Sequence, residues 1–273
     1  MTAAPPGVDH PRVRDWLTIR GPLERQLQPL GTAALWALGL RLGERVLDVG
    51  CGIGGTPRAL AGRVGPDGQV IAIELLQAAV DVLSADPDPP PNVRLICGDA
   101  QTWPFEPAAF DAVFSRFGVM FFADPEAAFA NLRRALRPGG RLAFVSWRPL
   151  AENELDALPL RAAAPHLPPA VVADTASAAW FSFSDPDAIR AVLAAAGFAD
   201  IDVTAHDAPV AAGDLQGMVD VCSTVGALGA ILREHTEHRP AAVAALEGAL
   251  RPLDGPGGPR LNAAVWIVTA RAP

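Results

Sequence analysis

Short β-branched and aliphatic runs at 45–49, 69–73, 93–97, 111–114 and 141–146 alternate with stretches of helical apolar spacing at 56–63, 76–84 and 125–136. Strands that alternate with helices at this interval predict right-handed crossovers and a mainly parallel, doubly wound α/β sheet. The punctuation falls where that reading needs it. Gly65, Pro66, Asp67 and Gly68 turn the chain into the second strand, 86–92 is a Pro-rich connection, and Arg137-Pro138-Gly139-Gly140 stops a helix before the fifth strand. This repeating core covers 40–147 and follows an N-terminal helical cover over 1–39. Beyond it the pattern loosens, and 149–179 is rich in Ala and Pro without a clean period. Ser184-Asp185-Pro186 then supplies an N-cap and an early proline for a helix that runs through Ala196 to Gly197. A strand at 201–206, helical stretches at 215–233 and 241–250, a Gly/Pro turn at 254–259 and a last strand at 261–270 follow. The last strand is expected to rejoin the sheet and make it seven-stranded. Residues 148–273 are then the rest of the same domain, completing the sheet and carrying helical lid insertions.

Length and composition narrow the chemistry. A chain of 273 residues, half of them hydrophobic, is ample for a buried core. The net charge is −8 and basic residues do not cluster, so neither nucleic acid nor an anionic membrane is an expected partner. All 22 basic residues are Arg, and Tyr is absent as well as Lys. That excludes a Schiff-base lysine, a P-loop lysine and a phenolic acid or base. Cys51, Cys97 and Cys222 are widely spaced, which offers neither a disulfide framework nor a CxxC motif. Residues 1–16 are polar and Pro-rich, and no run reaches the roughly 18 apolar residues of a membrane helix, so a cytoplasmic location is expected.

The strongest local feature is Val46-Leu47-Asp48-Val49-Gly50-Cys51-Gly52-Ile53-Gly54-Gly55, a strand running into a glycine-rich turn that opens a helix. Such glycines let a backbone approach a ligand and present amides at a helix N-terminus. Gly50, Gly52 and Gly55 also satisfy the dinucleotide spacing GxGxxG, so the loop alone leaves the ligand open. Asp48 beside the loop disfavours a pyrophosphate and favours an ammonium group. Glu74 ends the second strand, where an acid can accept hydrogen bonds from both ribose hydroxyls. Gly98-Asp99-Ala100 follows the third strand, with a carboxylate suited to an adenine amino group. Three carboxylates on consecutive strand ends suit a nucleoside without phosphate.

Together with GDAQTWPF at 98–105, FDAVFSRFGVMFF at 110–122 and LRPGGRLAFVSW at 136–147, these motifs resemble the class I S-adenosylmethionine-dependent methyltransferases of small-molecule type, which include quinone and natural-product methyltransferases. The resemblance covers 40–147 and implies a Rossmann-like methyltransferase fold with S-adenosyl-L-methionine as cofactor. It implies further that Asp48, Gly50 and Gly52 border the methionine part, that Glu74 holds the ribose and that Leu75 packs on the adenine. Asp99 and the Ala100 amide would read the adenine edge, with Ser115, Arg116 and Phe117 closing over the methionine end. Glu74-Leu75-Leu76 replaces the commoner Asp-x-Ser of the family, and the chain after Trp147 matches it loosely.

The expected activity is methyl transfer to O, N or C of a small apolar or aromatic acceptor. A nicotinamide-dependent oxidoreductase and a non-catalytic S-adenosylmethionine-binding protein are the alternatives. Apolar character at Phe117, Met120, Phe121 and Phe122 argues for an apolar or aromatic acceptor. The acceptor side is expected to include Trp16 and Arg20, the loop 116–122, and covers at 149–180 and 215–233. His10, His166 and His206 are the histidines among which a base would be sought, and none stands out. His235 and His238 fit a solvated helix end better than a metal site. Cys51, Cys97, Trp36, Trp147 and Trp266 read as packing residues, and Trp103 follows the adenine-side loop.

Overall fold

The computed structural model describes residues 11–174 and 179–273. Its sheet has seven strands in the order β3-β2-β1-β4-β5-β7-β6, where β1 is Arg45–Val49, β2 Gln69–Glu74, β3 Val93–Cys97, β4 Phe110–Arg116, β5 Leu136–Trp147, β6 Ala199–Val210 and β7 Leu261–Arg271. All neighbours are parallel except β7, which runs antiparallel to both β5 and β6. The last strand therefore does rejoin the sheet, inserted between β5 and β6.

Burial follows strand position. In the central β1, Val46 lies in the apolar cluster on one face while Leu47 and Val49 lie in the cluster on the other. The edge strand β6 is mostly exposed outside Val203 and Val210. This contrast is what a two-sided core predicts for centre and edge. One face is covered by α2 (Arg20–Leu38), α3 (Gly55–Val64), α6 (Glu154–Ala163), α9 (Leu215–Thr224), α10 (Gly226–Glu234) and α11 (Arg239–Leu250); the other is covered by α5 (Pro125–Ala135) and α8 (Pro186–Ala195). Three short helices complete the set: α1 (Pro11–Thr18), α4 (Gln77–Ser84) and α7 (Pro169–Asp174). Asp124 caps α5, and Asp185 caps α8 through the amide of Asp187 at 2.9 Å, each ahead of a proline.

Four expectations are corrected. The stretch 215–233 is not one helix: it bends by 61° at Val225, where Gly226 takes φ +70. The glycines before the fifth strand lie within β5, with the Gly139 amide bonded to Ala272 O, so the strand begins before them. Trp36 is 68% exposed, with the Arg63 guanidinium 4.2 Å above its ring, and is not a core residue. Cys97 is half-buried, because β3 is an edge strand. Among the described residues no single helix is long and apolar enough to cross a membrane, though α9 and α10 together are. Most of their apolar residues are buried against the sheet and neighbouring helices.

Candidate active site

At the carboxyl ends of β1, β2 and β4 the chain encloses a cavity of about 430 Å³. A crevice at the point where strand order reverses is where a doubly wound sheet binds ligands. β1 ends at Val49, and the amide of Gly50 donates to Ile73 O of β2 at 2.9 Å, which starts the loop across the sheet. Gly50 takes φ +69, and a Cβ there would come within 2.8 Å of Gly118 Cα, so this position needs glycine on both counts. Gly52 takes φ +56, and its amide donates to Glu74 Oε2 at 2.9 Å.

Glu74 thus sits on the cavity floor, 8% exposed, with Oε1 also accepting from the Leu76 amide at 3.1 Å. Two amides orient the carboxylate, and each oxygen keeps a further lone pair. Leu75 lies beside it, 57% exposed. Asp99 follows β3, its Oδ1 taking the Gln101 amide at 2.9 Å, and Ala100 is held from behind by Asn131 Nδ2 donating to its carbonyl at 3.1 Å. Trp103 does not reach the cavity wall; its ring packs against Gly98 beneath the loop.

Of the residues expected at the site, Gly50, Gly52, Glu74, Leu75, Asp99, Ala100, Arg116 and Phe117 line this cavity. Asp48 and Ser115 do not, and both are fully buried. Asp48 shares the parity of Val46 on β1, which turns it toward α3 beneath the glycine loop. There Oδ2 accepts from Thr56 Oγ1 at 2.5 Å, while Oδ1 has no hydrogen bond among the described residues. Burial pushes its carboxyl up from 3.8 to about 7, against the opposing influence of the Thr56 hydrogen bond and the Arg116 charge. The Ser115 hydroxyl donates to Val49 O at 2.8 Å and accepts from the Gly118 amide at 3.1 Å, so it fixes the wall without being part of it.

The next two residues close the cavity. Phe117 adopts φ +61, unusual for a non-glycine residue, and stacks on Trp147 with ring centroids 4.2 Å apart. Arg116 makes a two-pronged pair with Glu24 of α2, at 2.9 and 2.7 Å. The Glu24 carboxylate also lies against Gly55, at the N-terminus of α3.

The remaining wall comes from the expected covers: Trp16 and Arg20, Met120 to Phe122, Leu155 and Pro159 of α6, Trp180, and Val221, Cys222 and Leu228 of the α9–α10 pair. Sequence reasoning missed three charged groups in this wall, Glu24, Asp156 and Arg233. Glu24 could have been flagged as the one acid of α2, whereas no local signal marks Asp156. His166 and His206 do not line the cavity, and His10 falls outside the described residues. His235 and His238 flank the short connection between α10 and α11, beside Glu237.

Residues 47–144 match the family model described as a methyltransferase domain. The chain is 38% identical over 103 residues to demethylmenaquinone methyltransferase of Staphylococcus aureus, a match covering 38% of this chain and 43% of that one. It is 41% identical over 106 residues to an uncharacterized protein of a Streptomyces fradiae transposon, covering 39% and 31%. The matched stretch therefore spans less than half the length of either relative. Among solved structures, phosphoethanolamine N-methyltransferase 2 of Haemonchus contortus in complex with S-adenosyl-L-methionine superposes with a TM-score of 0.57 at 20% identity, covering 96% of this chain and 60% of that one. The YcgJ protein of Bacillus subtilis gives 0.55 at 20% identity, covering 89% and 97%. Strand order and antiparallel β7 give the chain the class I methyltransferase fold, and residues 47–144 within it match the methyltransferase-domain model.

Proposed function

We propose that the protein transfers a methyl group from S-adenosylmethionine to an O, N or C atom of a small apolar or aromatic molecule. One observation carries the reading: Glu74 and Leu75 stand together at the end of β2, an oriented carboxylate beside an uncovered aliphatic side chain, both facing one cavity. That pairing fits a ribose joined to a flat, apolar-faced base. Glu74 would accept the two ribose hydroxyls, Leu75 would pack on the adenine, and Asp99 with the Ala100 amide would bind its edge. Gly50 and Gly52 would border the methionine portion with their backbone, and Arg116 and Phe117 would close over it. Asp48, beneath the loop, would act on the ligand through its field and through Thr56 rather than by contact.

S-adenosylmethionine, when bound, supplies an electrophilic methyl on a positively charged sulfur. The task left to the chain is to align the acceptor with it and to exclude water. Alignment of bound reactants is worth about 7–11 kcal/mol, against roughly 3–5 kcal/mol for a general base. A wall built largely of apolar side chains around the Phe117–Trp147 stack serves that purpose.

The dinucleotide alternative meets an obstacle in Glu24. A pyrophosphate would need the N-terminus of α3, where the Glu24 carboxylate lies against Gly55. Parallel calorimetric titrations with S-adenosylmethionine, S-adenosylhomocysteine and NAD(H) test the proposal. Micromolar binding of the first two and none of the third is the expected result; binding of NAD(H) alone overturns it. Formation of S-adenosylhomocysteine across an acceptor panel then separates an enzyme from a cofactor-binding protein.

A further inference from the structure

The roof of the cavity is apolar along α6, α9 and α10 except at two places, Asp156 and Arg233, and Arg233 is turned to Asp15 of α1 at 3.5 Å. Asp156 of α6 lines the cavity among Leu155, Pro159, Val221, Val225 and Leu228. Its carboxylate is held rigidly, with Oδ1 accepting from the Ala227 amide at 3.0 Å and Oδ2 accepting from Asn153 Nδ2 at 2.8 Å. Each oxygen keeps a second lone pair. Among the described residues no arginine pairs with it. The neighbouring Cys222 thiol is pushed far up by burial and by the Asp156 charge, so it stays protonated and does not compete as a base. Burial also raises the Asp156 carboxyl from its ordinary value, against the opposing hydrogen bond from the Ala227 amide. An unpaired carboxylate in an apolar wall is costly unless a ligand brings it a donor.

We propose that Asp156 is the catalytic base on the acceptor side, binding the O–H or N–H of an otherwise apolar or aromatic acceptor and taking its proton. This narrows the acceptor atom to O or N, and it rests on the function proposed above. In the step, the acceptor's O–H or N–H bond breaks and its proton moves to a carboxylate oxygen of Asp156. The bonding pair remains on the acceptor heteroatom, which becomes the nucleophile, and the carboxylate becomes a neutral acid. That neutralisation suits a carboxylate whose charged form partial burial disfavours.

The experiment uses para-nitrophenol, whose neutral and ionised forms absorb at different wavelengths, and its methyl ether para-nitroanisole, which has no donor. Both are titrated into the wild-type protein and into Asp156→Asn, with and without saturating S-adenosylhomocysteine, in buffer above the pKa of the phenol in water. The wild type is expected to bind the phenol, its spectrum reporting whether the proton stays on the phenol or has passed to Asp156, and to prefer it to the ether by about tenfold or more, the scale of a hydrogen bond to a charged group. Asp156→Asn should lose that preference while its affinities for the ether and for S-adenosylhomocysteine stay unchanged. Asp156→Ser, which removes the carboxylate without placing an amide opposite Asn153 Nδ2, is the second variant should the first fold poorly. The inference is overturned if the wild type binds no phenol or binds phenol and ether alike, or if the folded variants keep the wild-type preference. Failure of S-adenosylhomocysteine to bind the wild type instead strikes the cofactor reading, and the probes alone then decide the role of Asp156.

Discussion

Around the cavity, the strand ends contribute oriented polar groups, Glu74, Asp99 and the amides of the glycine loop, each fixed by hydrogen bonds made within a few residues or to the adjoining strand. The helices above contribute Leu155, Val221 and Leu228 with one carboxylate and the Arg233 guanidinium, placed by contacts between segments distant in the chain. The floor and the roof thus differ in how they are specified. A floor of this kind recognises one polar ligand by geometry, and an apolar roof sets the shape and polarity of whatever lies opposite it.

The largest expected effect tests whether the floor tolerates charge for the sake of function. Asp48 has its carboxyl raised from 3.8 to about 7 by burial, so the folded state binds its proton more tightly than the unfolded chain does. Its stabilising contribution is full below about pH 4 and is lost as pH rises through 7. Asp48→Asn, which still accepts from Thr56, should therefore add up to about 4 kcal/mol of stability at pH 8 and little at pH 4. Urea unfolding at the two pH values checks this, and an equal gain at both removes the buried charge as its cause. Next comes Glu74→Ala, expected to weaken S-adenosylmethionine binding by about 1.5–3 kcal/mol, tenfold to more than a hundredfold, while leaving para-nitroanisole binding intact. A parallel loss of both ligands in calorimetry merges floor and roof into one unit. At the seam, a double-mutant cycle on Phe117→Leu and Trp147→Leu should return a coupling of about 0.5–1.5 kcal/mol from the stacked pair. The smallest effect belongs to Glu24→Gln, about 1 kcal/mol or less because Glu24 is 38% exposed, and it should shrink further in high salt during thermal unfolding.

Much of the floor is legible in the amino-acid sequence. Strand, glycine turn and strand-end acid follow one another locally, so the spacing of Asp48, Gly50, Gly52 and Glu74 already implies adjacency at one sheet edge. The side on which a residue points is less easily read. Asp48 turns under the loop because it alternates with Leu47 and Val49 on a strand buried on both faces, and motif spacing carries no mark of that. The roof resists reading for another reason. An apolar run such as 215–233 has helical composition throughout, and it is broken by an extended Val225 followed by the positive φ at Gly226, which brings Ala227 to Asp156 across a sequence gap that no periodicity bridges.

Glu24 and Arg116 fasten α2 to the end of β4 by two parallel charge-assisted bonds. Such a clasp has no half-open state of comparable energy, since loosening one prong misaligns the other. The pair therefore fixes the direction from which α2 meets the Arg116 side of the cavity as well as its distance, a constraint that a single point contact would not impose.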